Sequence, residues 1–448
     1  MITSYRITTI MSLIFFLFSG FVNAKLLHGE PKLYFEPQIS NPYIEYKSGG
    51  VMRVNLRLWG DNFAPSKRQP VNLVLVIDES GSMNERGKMS YAKQAAKDLV
   101  SKLNSYDRVG IVTYSDYSRV VMPLRRLQNK KHVLRIINSI EPTKSTNLSA
   151  GLIEGISQIK YNDRNGYVNK VILLSDGLAN RGITDIGTLS RIASRSAGDG
   201  IYITTMGLGL NYDEDLMMAI ADCGAGNYYF IESPNQMAYI FDKEFNRTTS
   251  TVAKDIVIEI YLGKNVELME LYGYNYEREG LKIRINIGNM FSGQERNIKM
   301  RLRVPADKQG ENALMRSAIT YRDVNDNKAR QVDKKVEYTV TSSKEKVVKN
   351  EKKEIVSEVR SAEAAKDLDV AARHYESGDR QSALSKINEA LGKVKNMNKS
   401  EYKTQKTVEQ EKALSDALRS MSSEPSPASP AGKSLIKKYK AESREQLM

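Results

Sequence analysis

The chain has 448 residues, which is too long for one ordinary hydrophobic core, so we expect two or three domains. Its 41% hydrophobic and 27% charged residues are typical of a globular protein and exclude wholesale disorder. Lys and Arg outnumber Asp and Glu by 67 to 53, a formal charge of +14, but the basic residues are scattered among acidic ones. We therefore expect no nucleic-acid partner.

The N-terminus has the order of a secretory signal peptide. Arg6 precedes an apolar run from Ile10 to Val22, and Val22-Asn23-Ala24 supplies the small residues of a cleavage site. The run is shorter than the roughly 20 residues that a permanent helical span needs, and no later apolar stretch is long enough. We predict that residues 1–24 are a signal peptide, that no stable membrane span remains after cleavage, and that the protein is periplasmic, secreted or at the cell surface.

Two strand-like stretches follow, at residues 43–46 and 51–58, and we assign residues 25–70 to the N-terminal strands of a β-sandwich. The pattern then changes to strands that alternate with helices, which is typical of a parallel sheet covered on both faces. We predict a doubly wound, Rossmann-like α/β domain over residues 71–249. Its strands are expected at residues 71–77, 109–114, 118–124, 171–174, 201–208 and 227–231, and its first helices at residues 88–103, 130–140 and 148–159.

Beyond Lys254 hydrophobic residues alternate with polar ones, which indicates antiparallel strands with one buried face. Alternating stretches begin at Ile256, Leu281 and Ile298, and two more strands are expected at residues 317–322 and 332–340. We predict that residues 250–343 are the C-terminal strands of the β-sandwich. A two-stranded ribbon is marginal alone, so the strands before the α/β domain should pair with the strands after it. The α/β domain would then be an insertion in the sandwich.

From Lys344 the composition shifts to Lys, Glu and Ala, which predicts helices at residues 352–375, 380–394 and 402–419. The first two, joined by the turn Ser377-Gly378-Asp379, resemble one tetratricopeptide (TPR) helix pair, which cannot bury its apolar face alone. An isolated helical hairpin packed on the sandwich is the other open interpretation of the helical region at residues 344–422. Residues 423–448 are predicted to be a Ser/Pro linker with a mobile basic tail.

Short oxygen-bearing side chains follow the buried strands of the α/β domain. Asp78, Ser80 and Ser82 come directly after the first strand, Thr146 lies in a turn before a helix, and Asp176 follows a later strand. Ligands bind at the carboxyl ends of the strands in open α/β sheets, so we expect these five side chains to converge. They offer hard oxygen donors, which suit Mg²⁺, Mn²⁺ or Ca²⁺, whereas Zn²⁺ prefers His or Cys. We predict a divalent-cation site, with Mg²⁺ as the first choice.

The pattern Asp78-x-Ser80-x-Ser82 with the later Thr146 and Asp176 resembles the metal-ion-dependent adhesion site of von Willebrand factor A domains, with all five positions filled. Segments 71–83, 107–114, 146–152, 173–177 and 221–228 also look like the bacterial branch of that family. This branch is similar to calcium-activated chloride channel regulators in this domain, and the resemblance covers roughly residues 42–340. It implies that the serines contact the metal directly and that the Thr and Asp side chains bind directly or through water. One coordination position stays open for an acidic group of a ligand.

The resemblance implies an exported, non-enzymatic protein-binding module of the adhesion or assembly type, whose partner presents an acidic residue to the metal. The alternative is a structural scaffold, in which the sandwich and the helical tail make the contacts and the metal only stabilises loops. His28, His132 and His374 are the only histidines and lie in different segments. The sequence also has no Gly-x-Ser-x-Gly elbow around the site serines and no His-Glu-x-x-His helix. We therefore expect no catalytic site.

Overall fold

The computed structural model describes residues 33–60, 68–143, 145–162, 164–423 and 426–447, and the predicted signal peptide lies outside these residues. The strands are β1 (Leu33–Ile39), β2 (Tyr43–Glu45), β3 (Gly50–Gly60), β4 (Val71–Asp78), β5 (Arg108–Tyr114), β6 (Ser118–Arg126), β7 (Val168–Ser175), β8 (Ile201–Leu208), β9 (Tyr228–Ile231), β10 (Thr251–Leu262), β11 (Glu267–Tyr272), β12 (Glu277–Glu279), β13 (Lys282–Phe291), β14 (Glu295–Val304), β15 (Gly310–Asp323) and β16 (Ala329–Thr341).

The helices are α1 (Lys88–Lys102), α2 (Lys130–Asn138), α3 (Leu148–Lys160), α4 (Ile186–Gly198), α5 (Glu214–Cys223), α6 (Met237–Thr249), α7 (Lys344–Lys349), α8 (Lys353–Glu376), α9 (Arg380–Asn398), α10 (Gln405–Ser423) and α11 (Pro430–Leu447). Over the described ranges, none of these helices is both long enough and apolar enough to cross a membrane.

Strands β4 to β9 form one six-stranded sheet in the order β6-β5-β4-β7-β8-β9. Every residue of β4, β7 and β8 is buried, which is why these strands are nearly continuous apolar runs in the sequence. Helices α1, α2 and α6 share an apolar cluster with one face of the sheet, and α3, α4 and α5 share one with the other. The predicted α/β domain is therefore present. The sheet is not wholly parallel, however, because the edge strand β6 runs antiparallel to β5.

Helix α3 lies very close to this sheet because two glycines face it. A Cβ atom at Gly151 would lie 2.5 Å from the ring of Tyr114, and one at Gly155 would lie 2.5 Å from a methyl group of Val76. Distances this short do not occur between real side chains, so both positions need glycine. The close contact fixes the start of α3 at the carboxyl end of the sheet, directly after the turn that contains Thr146.

Two further sheets, one antiparallel with four strands and one mixed with six, share a single apolar cluster. Strand β3 pairs with β14 from Gly50 opposite Val304 to Trp59 opposite Glu295. Strand β2 likewise pairs with β16, here in parallel. Strands that precede the α/β domain in the sequence are thus hydrogen-bonded to strands that follow it.

Helices α8, α9, α10 and α11 surround one apolar cluster, so the helical region contains more than the single pair that the sequence suggests. The prediction of a mobile basic tail is wrong for residues 430–447, which form α11. Ile436 and Tyr439 of this helix are 4% and 1% exposed, and both belong to the shared cluster. The ammonium group of Lys437 donates a hydrogen bond to the carbonyl oxygen of Tyr212 at 3.1 Å. Because α11 has a buried apolar face and cations that find acceptors on the α/β domain, it is held in place.

Candidate metal-binding site

Asp78 ends the central strand β4, and its carboxylate is fully buried. The Ser80 amide donates a hydrogen bond to Asp78 Oδ1 at 2.8 Å, and the Ser175 hydroxyl donates one to Oδ2 at 3.1 Å. The Tyr114 hydroxyl lies 3.2 Å from the same Oδ2 atom. Burial raises the pKa of Asp78 to about 6, and the nearby carboxylate of Asp176 contributes to this rise. The turn thus holds a buried carboxylate in one orientation, beside a second carboxylate.

Two serine hydroxyls connect this turn to the end of β7. Ser82 Oγ donates a hydrogen bond to Asp176 Oδ1 at 2.7 Å, and Ser80 Oγ lies 3.4 Å from the same oxygen. The two hydroxyl oxygens are 3.1 Å apart. Strands β4 and β7 are parallel neighbours, so the turns that follow them meet at the same edge of the sheet. Four of the five predicted ligand residues are therefore joined by direct contacts.

Thr146 reaches this cluster from the loop before α3. A Cβ atom at Gly177 would lie 3.5 Å from both Ser82 Oγ and Thr146 Oγ1, so both hydroxyls lie close to that glycine. The Asn180 side chain accepts a hydrogen bond from the Thr146 amide, and the Asn180 amide donates one to the Thr146 carbonyl oxygen, both at 3.1 Å. This exchange ties the Thr146 loop to the loop after β7. All five predicted residues thus lie at one place.

Lys88, the first residue of α1, is a site residue that the sequence analysis missed. Its ammonium group donates a hydrogen bond to Asp176 Oδ2 at 2.6 Å, and the two side chains are only 8% and 0% exposed. Gly87 precedes it with φ of +70°, a conformation that favours glycine, and α1 begins directly after it. The Gly87-Lys88 pair so soon after the serines was the available signal. One positive charge therefore lies against the carboxylate of Asp176.

Glu79 lies between the site residues in sequence but does not join them. Its carboxylate forms an ion pair with Arg119 at 2.8 Å, on β6. The Glu79 carbonyl oxygen accepts hydrogen bonds from Thr143 in the opposite loop. Glu79 therefore holds neighbouring loops together and offers no donor to a metal.

The donor set fits a hard dication. Two carboxylates and three hydroxyls supply only oxygen atoms, which Mg²⁺, Mn²⁺ and Ca²⁺ prefer. In the described part of the chain no group of three or more His, Cys, Asp or Glu side chains is placed to hold a metal, so a metal at this site would depend on the hydroxyls. Asp78 and Asp176 would supply negative charge to a bound dication. Ser80, Ser82 and Thr146 would supply neutral oxygen donors.

Residues 72–243 match the family model described as von Willebrand factor type A domain, and this part of the chain is such a domain (VWA domain). The uncharacterized protein YfbK of Escherichia coli (strain K12) is 32% identical over 213 residues, which are 47% of this chain and 37% of that protein. The uncharacterized protein sll0103 of Synechocystis sp. is 22% identical over 267 residues, 57% of this chain and 63% of that protein. The chain thus spans less than two thirds of each of these relatives.

Two solved structures resemble nearly the whole chain. The von Willebrand factor type A protein from Catenulispora acidiphila has a TM-score of 0.73 at 18% identity, over 92% of this chain and 96% of that one. The ArnB paralog VWA2 from Sulfolobus acidocaldarius has a TM-score of 0.62 at 17% identity, over 93% and 99%. At these identities the similarity shows a common fold, and its coverage extends well beyond the VWA domain.

Proposed function

We propose that the VWA domain binds an acidic group of a partner protein through a divalent cation held by Asp78, Ser80, Ser82, Thr146 and Asp176. Domains of this family are interaction modules that commonly hold a divalent metal at such a site. The observation that carries the proposal is the contact of both serine hydroxyls with Asp176, beside the buried carboxylate of Asp78. We propose Mg²⁺ as the resident ion, with Mn²⁺ and Ca²⁺ as the alternatives, and no catalytic role.

The proposed ligand residues would have different roles in binding the cation. Asp78 keeps its orientation through the Ser80 amide and the Ser175 hydroxyl, so its carboxylate needs little reorganisation when a cation enters. The hydroxyls of Ser80 and Ser82 offer lone pairs without adding charge. A bound dication would supply an open coordination position for a carboxylate of the partner. That contact would gain strength from the buried surroundings, because charge-assisted bonds are stronger where water is excluded.

We also infer export and an inserted domain. The order of Arg6, the apolar run and Ala24 supports a signal peptide, and N-terminal sequencing should find the mature protein starting near Lys25. An intact Met1 in a cytoplasmic fraction would contradict export. The pairing of β3 with β14 supports a β-sandwich into which the VWA domain is inserted. The segments that resemble the bacterial branch support a relationship to the chloride-channel-regulator type.

A scaffold function is the second candidate, and Lys88 is the observation that favours it. Its ammonium group already lies against Asp176, so the loops have an internal cation that holds them together. In this alternative the two sheets outside the α/β domain and the helices α8 to α11 make the contacts with other proteins. Binding would then be independent of added metal.

The deciding experiment compares the purified wild-type protein with Asp78→Ala and with the matched control Glu79→Ala. Titration calorimetry should detect Mg²⁺ binding to the wild type and to Glu79→Ala, but not to Asp78→Ala. Partners are captured on each protein in Mg²⁺ and in chelator. The wild type should capture them in Mg²⁺ but not in chelator, and Asp78→Ala should not capture them in either. Equal Mg²⁺ affinity in all three proteins would end the metal-site proposal, and partners retained in chelator would establish the scaffold function.

A further inference from the structure

A cleft of about 780 Å³ lies where the VWA domain, the four-stranded sheet and the last helix meet. One wall is strand β9 at the edge of the α/β sheet, with Tyr228, Tyr229 and Phe230. The other walls come from α6, from the start of β14 and from α11. Its volume is in the range of small-molecule sites, which is roughly 300 to 1,000 Å³. None of the candidate metal-site residues lines it, so it is a separate place in the molecule.

Three arginines from distant parts of the sequence line this cleft: Arg247, Arg296 and Arg444. The Arg247 guanidinium donates a hydrogen bond to the Tyr229 hydroxyl at 3.0 Å, and that of Arg296 donates one to the carbonyl oxygen of Ile287 at 3.1 Å. Burial lowers the pKa of Arg296, and the positive charges of Arg247 and Arg444 lower it as well. The guanidinium group of Arg296 is thus close enough to those of Arg247 and Arg444 to be repelled by both.

Two donors of Arg444 have no acceptor among the residues that the structure describes. It is only 8% exposed, and its guanidinium pairs with Asp222. Its Nε and Nη1 atoms, however, are buried and have no hydrogen-bond partner. A buried donor without an acceptor destabilises the folded protein, and more so in a charged group. An acceptor that entered the cleft and met these atoms would remove this destabilisation.

The cleft has an excess of positive charge among its buried groups. Within the described ranges, the pair of Arg444 with Asp222 is the one ion pair that the three guanidinium groups form. Four carboxylates line the cleft: Glu295 pairs with Arg57 at 2.7 Å, Glu232 accepts a hydrogen bond from Ser434 at 2.6 Å, and Glu442 and Glu445 lie on α11. Glu232, Glu295 and Glu445 are exposed and Glu442 is half-buried, whereas all three arginines are buried or half-buried. The inner part of the cleft therefore favours an anion.

We propose that this cleft binds a small organic phosphate. Guanidinium groups present planar pairs of N–H donors that match phosphate oxygens, and three of them converge here. The aromatic wall of β9 provides apolar surface for the organic part of the ligand. Because the arginines come from α6, β14 and α11, a bound phosphate would connect the VWA domain to the sheet and to the C-terminal helix. The proposal is independent of the metal site.

The test uses phenyl phosphate as the probe and the full mature protein, in chelator. Titration calorimetry should show saturable binding to the wild type, with benzyl alcohol as a neutral probe that does not bind. Arg247→Gln and Arg444→Gln should each weaken the binding of phenyl phosphate at least tenfold. The matched control is Arg195→Gln, an exposed arginine on α4 outside the cleft.

Arg444 also pairs with Asp222, so the thermal unfolding of each variant is measured beside its binding. Arg247→Gln removes no ion pair with any described residue, so it keeps the test valid if Arg444→Gln unfolds. Wild-type protein that does not bind millimolar phenyl phosphate would overturn the proposal. So would equal binding by the wild type and a folded Arg247→Gln, or an equal loss in Arg195→Gln. Asp78→Ala should bind the probe like the wild type, which separates this proposal from the metal site.

Discussion

The candidate metal site and the cleft lined by Arg247, Arg296 and Arg444 (the arginine cleft) have opposite excesses of charge. At the metal site two carboxylates, Asp78 and Asp176, are buried, and one ammonium group, that of Lys88, pairs with Asp176. In the cleft three guanidinium groups are buried or half-buried, and one of them, that of Arg444, pairs with Asp222. A buried charge is costly unless an opposite charge or hydrogen bonds compensate it. The sign of the uncompensated charge therefore selects the ligand class, a cation at the first place and an anion at the second.

The two places also differ in how far apart their residues lie in the sequence. The metal site takes its residues from turns of one domain, between Asp78 and Asp176. The cleft joins a helix of that domain to a strand and a helix that follow much later, through Arg247, Arg296 and Arg444. The first can form once the α/β domain has folded, whereas the second needs the whole chain.

The largest effect should follow from removing one of the metal-site carboxylates. We expect Asp78→Ala to weaken Mg²⁺ binding at least about 100-fold, or about 2.7 kcal/mol, because the dication loses a charged ligand. Ser80→Ala and Ser82→Ala should have intermediate effects, and Glu79→Ala should stay within about twofold since Glu79 pairs with Arg119. Titration calorimetry checks the series. An Asp78→Ala protein with unchanged Mg²⁺ affinity would show that Asp78 is not part of a metal site, and the comparison with the cleft would fail.

The next effect concerns Glu214, a buried acid on α5 that α11 covers. Burial raises the pKa of Glu214 to about 7, although the charges of Lys437 and Lys440 and a hydrogen bond from Tyr228 lower it, and Asp215 raises it. Between the unfolded value near 4.5 and about 7, the folded protein keeps a proton that the unfolded chain has lost. Stability should therefore fall as the pH rises through this window, by up to about 3 kcal/mol from this group.

Urea unfolding at pH 5 and pH 8 measures this contribution. Glu214→Gln should lose less free energy of unfolding between the two pH values than the wild type does. Glu311→Gln, an exposed position on β15, is the control and should follow the wild type. The same loss in Glu214→Gln and in the wild type would show that Glu214 does not carry the effect.

A smaller effect should follow from removing the ammonium group at the metal site. Lys88→Met takes away a positive charge 2.6 Å from Asp176 and keeps most of the side-chain volume. We expect Mg²⁺ to bind about tenfold more tightly, or by about 1.4 kcal/mol, because the cation then meets two uncompensated carboxylates. Calorimetry compares this variant with Lys102→Met, which changes an exposed lysine at the other end of α1. Affinity that falls or stays constant in Lys88→Met would mean that Lys88 does not oppose the metal.

The smallest effects should be those of a substitution at one of the two sites on ligand binding at the other. The two sites share no described residue, and distant substitutions without common partners act additively. Arg247→Gln should therefore change Mg²⁺ affinity by less than about twofold. Calorimetry of Mg²⁺ into this variant, with and without phenyl phosphate, checks the expectation. A larger change would show that the metal site and the cleft are coupled.

The metal-site residues could be predicted because each lies in a short turn next to a helix or an apolar strand. The alternation of strands and helices is enough to place Asp78 and Asp176 at one edge of the sheet. The groups that orient them could not be found in this way. Tyr114 and Ser175 lie within or at the end of apolar strands, and the Gly87-Lys88 pair marks the start of a helix without showing that Lys88 faces Asp176. Their roles depend on which strands become neighbours.

The fold of the tail could be predicted only in part, for the same physical reason. Helices α8, α9 and α10 have clear helical patterns, whereas the Ser/Pro-rich segment before α11 and its many lysines indicate a mobile tail. The burial of Ile436 and Tyr439 depends on a cluster built by three other helices. The arginine cleft depends on the same packing, so Arg444 gave no signal in the sequence.

The most direct test of the central claim is a crystal structure of the protein soaked in Mn²⁺, with data collected at the manganese absorption edge. We predict one anomalous peak within coordination distance of Ser80, Ser82 and the carboxylates of Asp78 or Asp176, and no such peak in crystals of Asp78→Ala. An ordered wild-type site with no anomalous peak, and with Lys88 still bound to Asp176 at saturating Mn²⁺, would contradict the claim that these residues hold a divalent cation.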